Sequence, residues 1–500
     1  MRSPNILLII LDTLRRDRLS LYGSPRRTSP YLDEFATRAH VFRRAVAPAH
    51  WTIPSHASMF TGEYPSAHGM TQGDHLLTGT LPTLAELLAA SDYHTVGFCN
   101  NPLVGVLLNG LQRGFREFYN YAGAVPNRPP SGDGGVGGRF RTWFYPHARR
   151  IAHTFSQSDW LFRVSLNPVL TPIWTRYVNF KGSTLNSLDD AERYWTAYHG
   201  DQPLFMFVNL MGTHLPYYPP ADLLDQIAPG RRQDRHAYAF VNTLNRDSTA
   251  WASPRETPLA DWQQQTLLDF YDAEIAAQDR ALSRLLAALD ASGRETLVVI
   301  AADHGECHGE HDLFGHTFDV HQELVHVPLI IRHPDFPNGG EIGANVSTRR
   351  IFHTLLDAAN VRHKNADRSL LPLLEGGHDP EDGIAFSEAF APSLFLRVME
   401  HRDSPLIERM HLRSTRRAVY QGDYKLILRD DVGTTSVEAL YNVAEDAAET
   451  RDLAGEQPDR VANLRGQIEG FMRRADQPDV NSIAVDETVV EHLRALGYIE

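Results

Sequence analysis

The chain has 500 residues, 42% of them hydrophobic, enough for a large core and about two to four domains. Its formal charge of -14, from 48 Lys and Arg against 62 Asp and Glu, offers no basic field to nucleic acid or an anionic membrane, so an anionic ligand has to be captured locally. Two cysteines, Cys99 and Cys307, exclude a disulfide framework and a cysteine-rich metal site.

The apolar run Ile6 to Leu11 ends at Asp12. It is too short for a membrane span and lacks a small-residue cleavage site, so it reads as a buried strand of a cytoplasmic protein. The segment His50 to Gly62 reads as a loop entering a helix, with Pro54 in its first turn. Thr52 then stands at a helix N-terminus, where unsatisfied N–H groups favour an anion; a plain capping role suits the same residue.

Further short apolar runs follow at Thr95 to Cys99, Leu204 to Leu210, Thr296 to Ile300 and Val327 to Ile331. Residues 122–200 read as an insertion, Gly- and Pro-rich at first and aromatic later, serving either as a lid over the substrate or as a loop without a role. From Gln264 to Asp290, Leu268, Tyr271, Ile275, Leu282, Leu285 and Leu289 mark a helix, and Asp279 on its apolar face is expected to be paired inside the fold. Beyond residue 385, Ala418-Val419-Tyr420 and Tyr424 to Leu428 flank Gln421-Gly422-Asp423 as a hairpin does.

This alternation predicts an α/β fold, a doubly wound, mostly parallel sheet flanked by helices, with a smaller C-terminal α+β region. The expected domains are residues 1–385 and 386–500. Polar residues just past strand ends face the ligand crevice of such sheets, which brings Asp12, Asn100, His214 and Asp303 together. Asp303 and His304 at one strand end suit a metal, and His308, His311 and His316 follow, each alone being more often an ordinary loop histidine.

The order Asp12, Thr52-Ile53-Pro54-Ser55-His56, Thr61-Gly62, His214-Leu215-Pro216, Asp303-His304-Gly305-Glu306 and Gly309-Glu310-His311 resembles the sulfatase family of the alkaline phosphatase superfamily over nearly the whole chain. The resemblance implies an enzyme acting on a small anionic ester, with Asp12, Thr52, Asp303 and His304 holding one divalent metal ion. It makes Thr52, His56, His214 and His316 catalytic and places Asn100 and His311 at the substrate. Three departures shape the chemistry. Thr52 stands where sulfatases carry the Cys or Ser that becomes formylglycine, so no formylglycine is expected and its hydroxyl attacks directly, as in phosphodiesterases and phosphoglycerol transferases of the superfamily. His56 stands for the signature arginine, and Thr13 for a second aspartate.

With His304 as a nitrogen ligand, zinc or manganese fits better than calcium, which stays compatible; a second ion is left open. Phosphate or phosphonate ester hydrolysis is the leading expectation. Sulfate ester hydrolysis without formylglycine and phosphoryl transfer to an alcohol are the alternatives, and a non-catalytic binder is disfavoured by the intact metal set. No nucleic-acid patch or membrane span is seen, and the oligomeric state is not readable.

Overall fold

The computed structural model describes residues 3–122, 126–129, 181–247, 254–255, 257–431 and 433–475. Fourteen strands appear among them. An eight-stranded sheet contains β1 (Asn5–Leu11), β2 (His40–Val46), β3 (His94–Cys99), β4 (Glu117–Asn120), β5 (Leu204–Leu210), β6 (Thr296–Ala301), β9 (His326–Arg332) and β10 (Gly340–Ser347), in the order β10-β2-β9-β6-β1-β5-β3-β4. β1 pairs in parallel with β5 and β6, and β3 with β4 and β5. Every residue of β5 and all but the first of β1 are buried, as continuous aliphatic and aromatic runs covered on both faces should be.

The run Val327 to Ile331 does form a strand, but β9 lies antiparallel to both β2 and β6. Its chain reaches the sheet through a hairpin rather than a crossover helix. The hairpin joins two-residue strands, β7 (Cys307–His308) and β8 (Phe314–Gly315).

The predicted helix spans Asp261–Ser292, opening where Gln263 Oε1 accepts the Ala260 N–H at 2.9 Å and closing at Gly293 with φ 63°. Its buried stripe runs through Leu267 rather than Leu268. Asp279 is indeed paired inside the fold: its carboxylate accepts the N–H groups of Tyr31 and Leu32, each at 2.9 Å, at the start of α1 (Pro30–Ala36). Most of the expected insertion lies outside the described residues. Its end, residues Thr184–Ala197, is a helix that packs on the long one through Leu188, Ala191 and Trp195.

A second, antiparallel sheet orders β11 (Ile384–Ala389), β12 (Thr415–Gln421), β13 (Tyr424–Asp431) and β14 (Thr434–Asn442). The hairpin at Gln421 has the expected turn, with Gly422 at φ 58° and Gln421 paired to Tyr424. The helix Pro458–Ala475 covers this sheet, Leu464, Ile468 and Phe471 meeting Val419, Leu426 and Leu440. Among the described residues no helix is long and apolar enough to cross a membrane.

Candidate active site

The carboxyl ends of β1, β3, β5 and β6 converge, as the strand pattern predicts. Asp12 directly follows β1, and Asp303 lies two residues past β6. Facing them is α2 (Thr52–Thr61), whose ten residues are all buried. Thr52 is its first residue and makes no cap bond, so the plain capping role does not hold. Its Oγ1 instead lies 3.3 Å from His304 Nε2 and 3.4 Å from Asn101 Nδ2. Ser55 Oγ donates to Asp303 O at 2.6 Å, tying the helix to the strand end. The positive end of the α2 dipole is therefore aimed at the two carboxylates and whatever lies between them.

Asp12, Asp303 and His304 offer ligand atoms within 4.8 Å of one another. Both carboxyls are fully buried. Burial, then the charge of Asp303, pushes Asp12 up to about 8, and burial pushes Asp303 up to about 7. Asp12 Oδ1 and Asp303 Oδ2 have no hydrogen-bond partner. Two buried, mutually repelling carboxylates with orphaned oxygens beside an imidazole nitrogen fit a divalent cation. His304 Nδ1 lies 3.0 Å from Gly305 O, which leaves Nε2 as the ligand nitrogen.

His56 is buried among Phe60 and Phe207, with Nδ1 3.0 Å from Thr52 O and 3.4 Å from Asp303 Oδ2, and Nε2 3.3 Å from Asn209 Nδ2. Burial pushes its pKa down to about 3. Burial thus disfavours its charged form, and its contacts run to Thr52 O, Asp303 and Asn209. Thr13 turns at φ 59° and spends its hydroxyl on Asp12 O at 2.7 Å.

His214 and His316 flank the centre. Their ring centroids are 5.1 Å apart, and His316 is 4.6 Å from His304. The other two expectations shift. Asn100 donates to Lys181 O at 3.2 Å, while its neighbour Asn101 donates to Asp12 Oδ2 at 2.5 Å and reaches Thr52. His311 stacks on His321 at 3.7 Å and lies 3.3 Å from Glu323 Oε2. His311, His321 and Glu449 form a second cluster with the spacing of metal ligands, but the Glu449 oxygens are taken by Lys425 Nζ at 2.5 Å and His321 Nδ1 at 2.7 Å.

Sequence reasoning missed Asn101, Glu306 and Lys181. Lys181 Nζ, held by Gly212 O at 2.8 Å and Pro216 O at 2.9 Å, stands 3.6 Å from Glu274 and brings a cation within electrostatic reach of Asp12 and Glu306. No motif surrounds it; its one sequence signal is its place within the insertion at residues 122–200.

A family model described as Sulfatase matches residues 4–361. The ulvan-active sulfatase of Formosa agariphila is 26% identical over 364 residues, covering 72% of this chain and 62% of its own length, so the chain spans less than two thirds of that relative. Arylsulfatase K of Danio rerio is 23% identical over 523 residues, covering 96% of this chain and 85% of its own. The crystal structure of the phosphonate monoester hydrolase of Agrobacterium radiobacter shares the fold with a TM-score of 0.65 at 20% identity, over 94% of this chain and 96% of that one. With residues 4–361, most of its length, matched by the family model, the chain belongs to the sulfatase family.

Proposed function

We propose that the protein hydrolyses small monoanionic esters, sulfate monoesters foremost and phosphonate monoesters or phosphate diesters beside them, with Thr52 as nucleophile. The names of the relatives move the preference from phosphorus, expected from Thr52 with Thr13 and His56, to sulfur. The observation that carries the reading is the charge of the site. Asp12 and Asp303 balance one divalent ion, Glu274 balances Lys181, and His56 is neutral where an arginine would add a permanent cation. Among the described residues no further cation faces the centre to offset the second negative charge of a phosphate monoester.

Asp12, Asp303 and His304 would hold the ion, which when bound supplies the positive charge that acidifies a neighbouring hydroxyl and offsets the ester's anionic oxygens. The donor set suits zinc or manganese. Asn101 and the His56 hydrogen bond to Thr52 O orient the nucleophile. Thr52 Oγ1 bonds to sulfur or phosphorus as the bridging ester bond breaks and the alcohol leaves; water then cleaves the Thr52 ester and restores the hydroxyl.

The test is parallel turnover of 4-nitrophenyl sulfate, mono-4-nitrophenyl phenylphosphonate, bis(4-nitrophenyl) phosphate and 4-nitrophenyl phosphate, before and after chelation. Monoanions are expected to be turned over at least about tenfold faster than the phosphate monoester, and Thr52→Ala to lose at least about 1000-fold. A Thr52→Ala variant of full activity, or a preference for the dianion, refutes the reading. Added glycerol that captures the transferred group would mark a transferase instead.

A further inference from the structure

In the hairpin of β7 and β8, Cys307 pairs with Gly315 and His308 with Phe314. The next opposed positions of that antiparallel ladder are 306 and 316, whose side chains share a face. There His316 Nδ1 lies 2.9 Å from Glu306 Oε1. Glu306 is fully buried and its Oε2 has no partner. The hairpin is clamped from behind: Arg15 Nη1 donates to Glu306 O at 3.2 Å and to Glu310 Oε1 at 2.7 Å, and Tyr217 Oη lies 2.8 Å from His308 Nε2. A buried carboxylate that accepts the Nδ1–H of an imidazole fixes its tautomer and leaves Nε2 as the reactive nitrogen. Nothing in the chemistry above uses Glu306.

We propose that Glu306 is the positioning residue for His316, and that this pair adapts the site to esters of poor leaving groups, alkyl and sugar alcohols, in preference to phenols. The inference rests on the reading of Thr52 as nucleophile. A nitrophenolate departs unaided, whereas an alkoxide needs a proton as it leaves. The proton given up by Thr52 Oγ1 passes by way of His316 Nε2 to the bridging oxygen. Meanwhile the bond from that oxygen to sulfur or phosphorus breaks, its electron pair staying on the oxygen, and a neutral alcohol departs. Glu306 holds the ring in orientation and offsets its transient charge.

The experiment compares kcat and KM for matched 4-nitrophenyl and cyclohexylmethyl esters of the oxyacid that the wild type turns over fastest. Glu306→Ala is expected to lower kcat on the alkyl ester about 10- to 100-fold, and His316→Ala about 100-fold or more, with KM little changed. On the 4-nitrophenyl ester, which needs no proton on its leaving oxygen, both losses should be at least about tenfold smaller than on the alkyl ester. The isosteric Glu306→Gln, which keeps an acceptor for Nδ1–H, should fall between wild type and Glu306→Ala. The double variant should be no slower than His316→Ala alone, because the two residues act as one unit. Equal losses on both leaving groups in Glu306→Gln, or multiplied losses in the double variant, would overturn the inference and leave Thr52 untouched. A wild type that turns over neither ester sinks both readings.

Discussion

Lys425 offers the cleanest test of how the antiparallel sheet is joined to the segment that follows His316. Its side chain is fully buried on β13, with Nζ 2.5 Å from both Val320 O and Glu449 Oε1. Glu449 Oε2 in turn accepts from His321 Nδ1 at 2.7 Å and from the Gln322 N–H at 3.1 Å. Burial pushes the Glu449 carboxyl up, but the Lys425 ammonium and then the His321 ring outweigh it and hold it at about 2 against an ordinary 4.5. By linkage that difference contributes about 3 kcal/mol at neutral pH. Removing one partner of a buried pair costs about 3–5 kcal/mol, so two independent routes agree on the size. Because the folded-state pKa is depressed, the contribution is complete above about pH 4.5 and is lost as pH falls towards 2. Lys425→Met should therefore lose about 3 kcal/mol in urea unfolding at pH 7, with the gap to wild type narrowing at about pH 3.5. Lys425→Met/Glu449→Leu should recover most of it, since no charge is then left buried alone. A single variant within about 1 kcal/mol of wild type, or a gap that does not change with pH, refutes the reasoning.

Asn101→Ala removes the 2.5 Å bond to Asp12 and the contact with Thr52 and should cost about 10- to 100-fold in kcat and metal affinity, read by kinetics and by titration with manganese, while loss of its cap on the Leu103 N–H costs the metal-free protein about 1 kcal/mol in thermal unfolding. Gly305→Ala would place a Cβ 2.0 Å from Glu323 O, so the loop carrying His304 must move; a loss of about 1–3 kcal/mol in thermal unfolding together with loss of activity is expected. Thr13→Asp and His56→Arg each bury a new charge beside Asp303 and should each destabilise by about 3 kcal/mol or more, while the double variant should lose less than the sum by at least about 1 kcal/mol, which a double-mutant cycle measures directly.

The centre was legible because an apolar run that stops at a polar residue marks both a strand and its crevice end, and Asp12, Asp303 and His304 all follow such runs. What failed lay where pattern carries no information. Successive side chains near a strand end point to opposite sides, so a one-residue choice between Asn100 and Asn101 selects opposite faces. The direction of β9 depends on the connection before it, and β7 and β8 are too short to show alternation, so neither the reversal nor the Glu306–His316 pairing was visible. The place of His311 was hidden for a further reason. Its surroundings, His321 and Glu449, come together only through the docking of the second sheet, and neighbours of that kind leave no local trace.

The three departures from the family signature are one change in physical terms. Thr13 N lies 3.3 Å from Asp303 Oδ1, and His56 Nδ1 lies 3.4 Å from Asp303 Oδ2, so both positions abut the same buried carboxylate. An aspartate at the first would add a negative charge there and an arginine at the second a positive one, and the absence of both leaves the net charge around Asp303 unaltered. The space is taken by hydrogen bonds to the backbone, Thr13 Oγ1 to Asp12 O and His56 Nδ1 to Thr52 O, which stiffen the chain at Asp12 and Thr52. Neither position adds a permanent cation beside Asp303, and Lys181, a buried cation within electrostatic reach of Asp12, is itself paired with Glu274 at 3.6 Å.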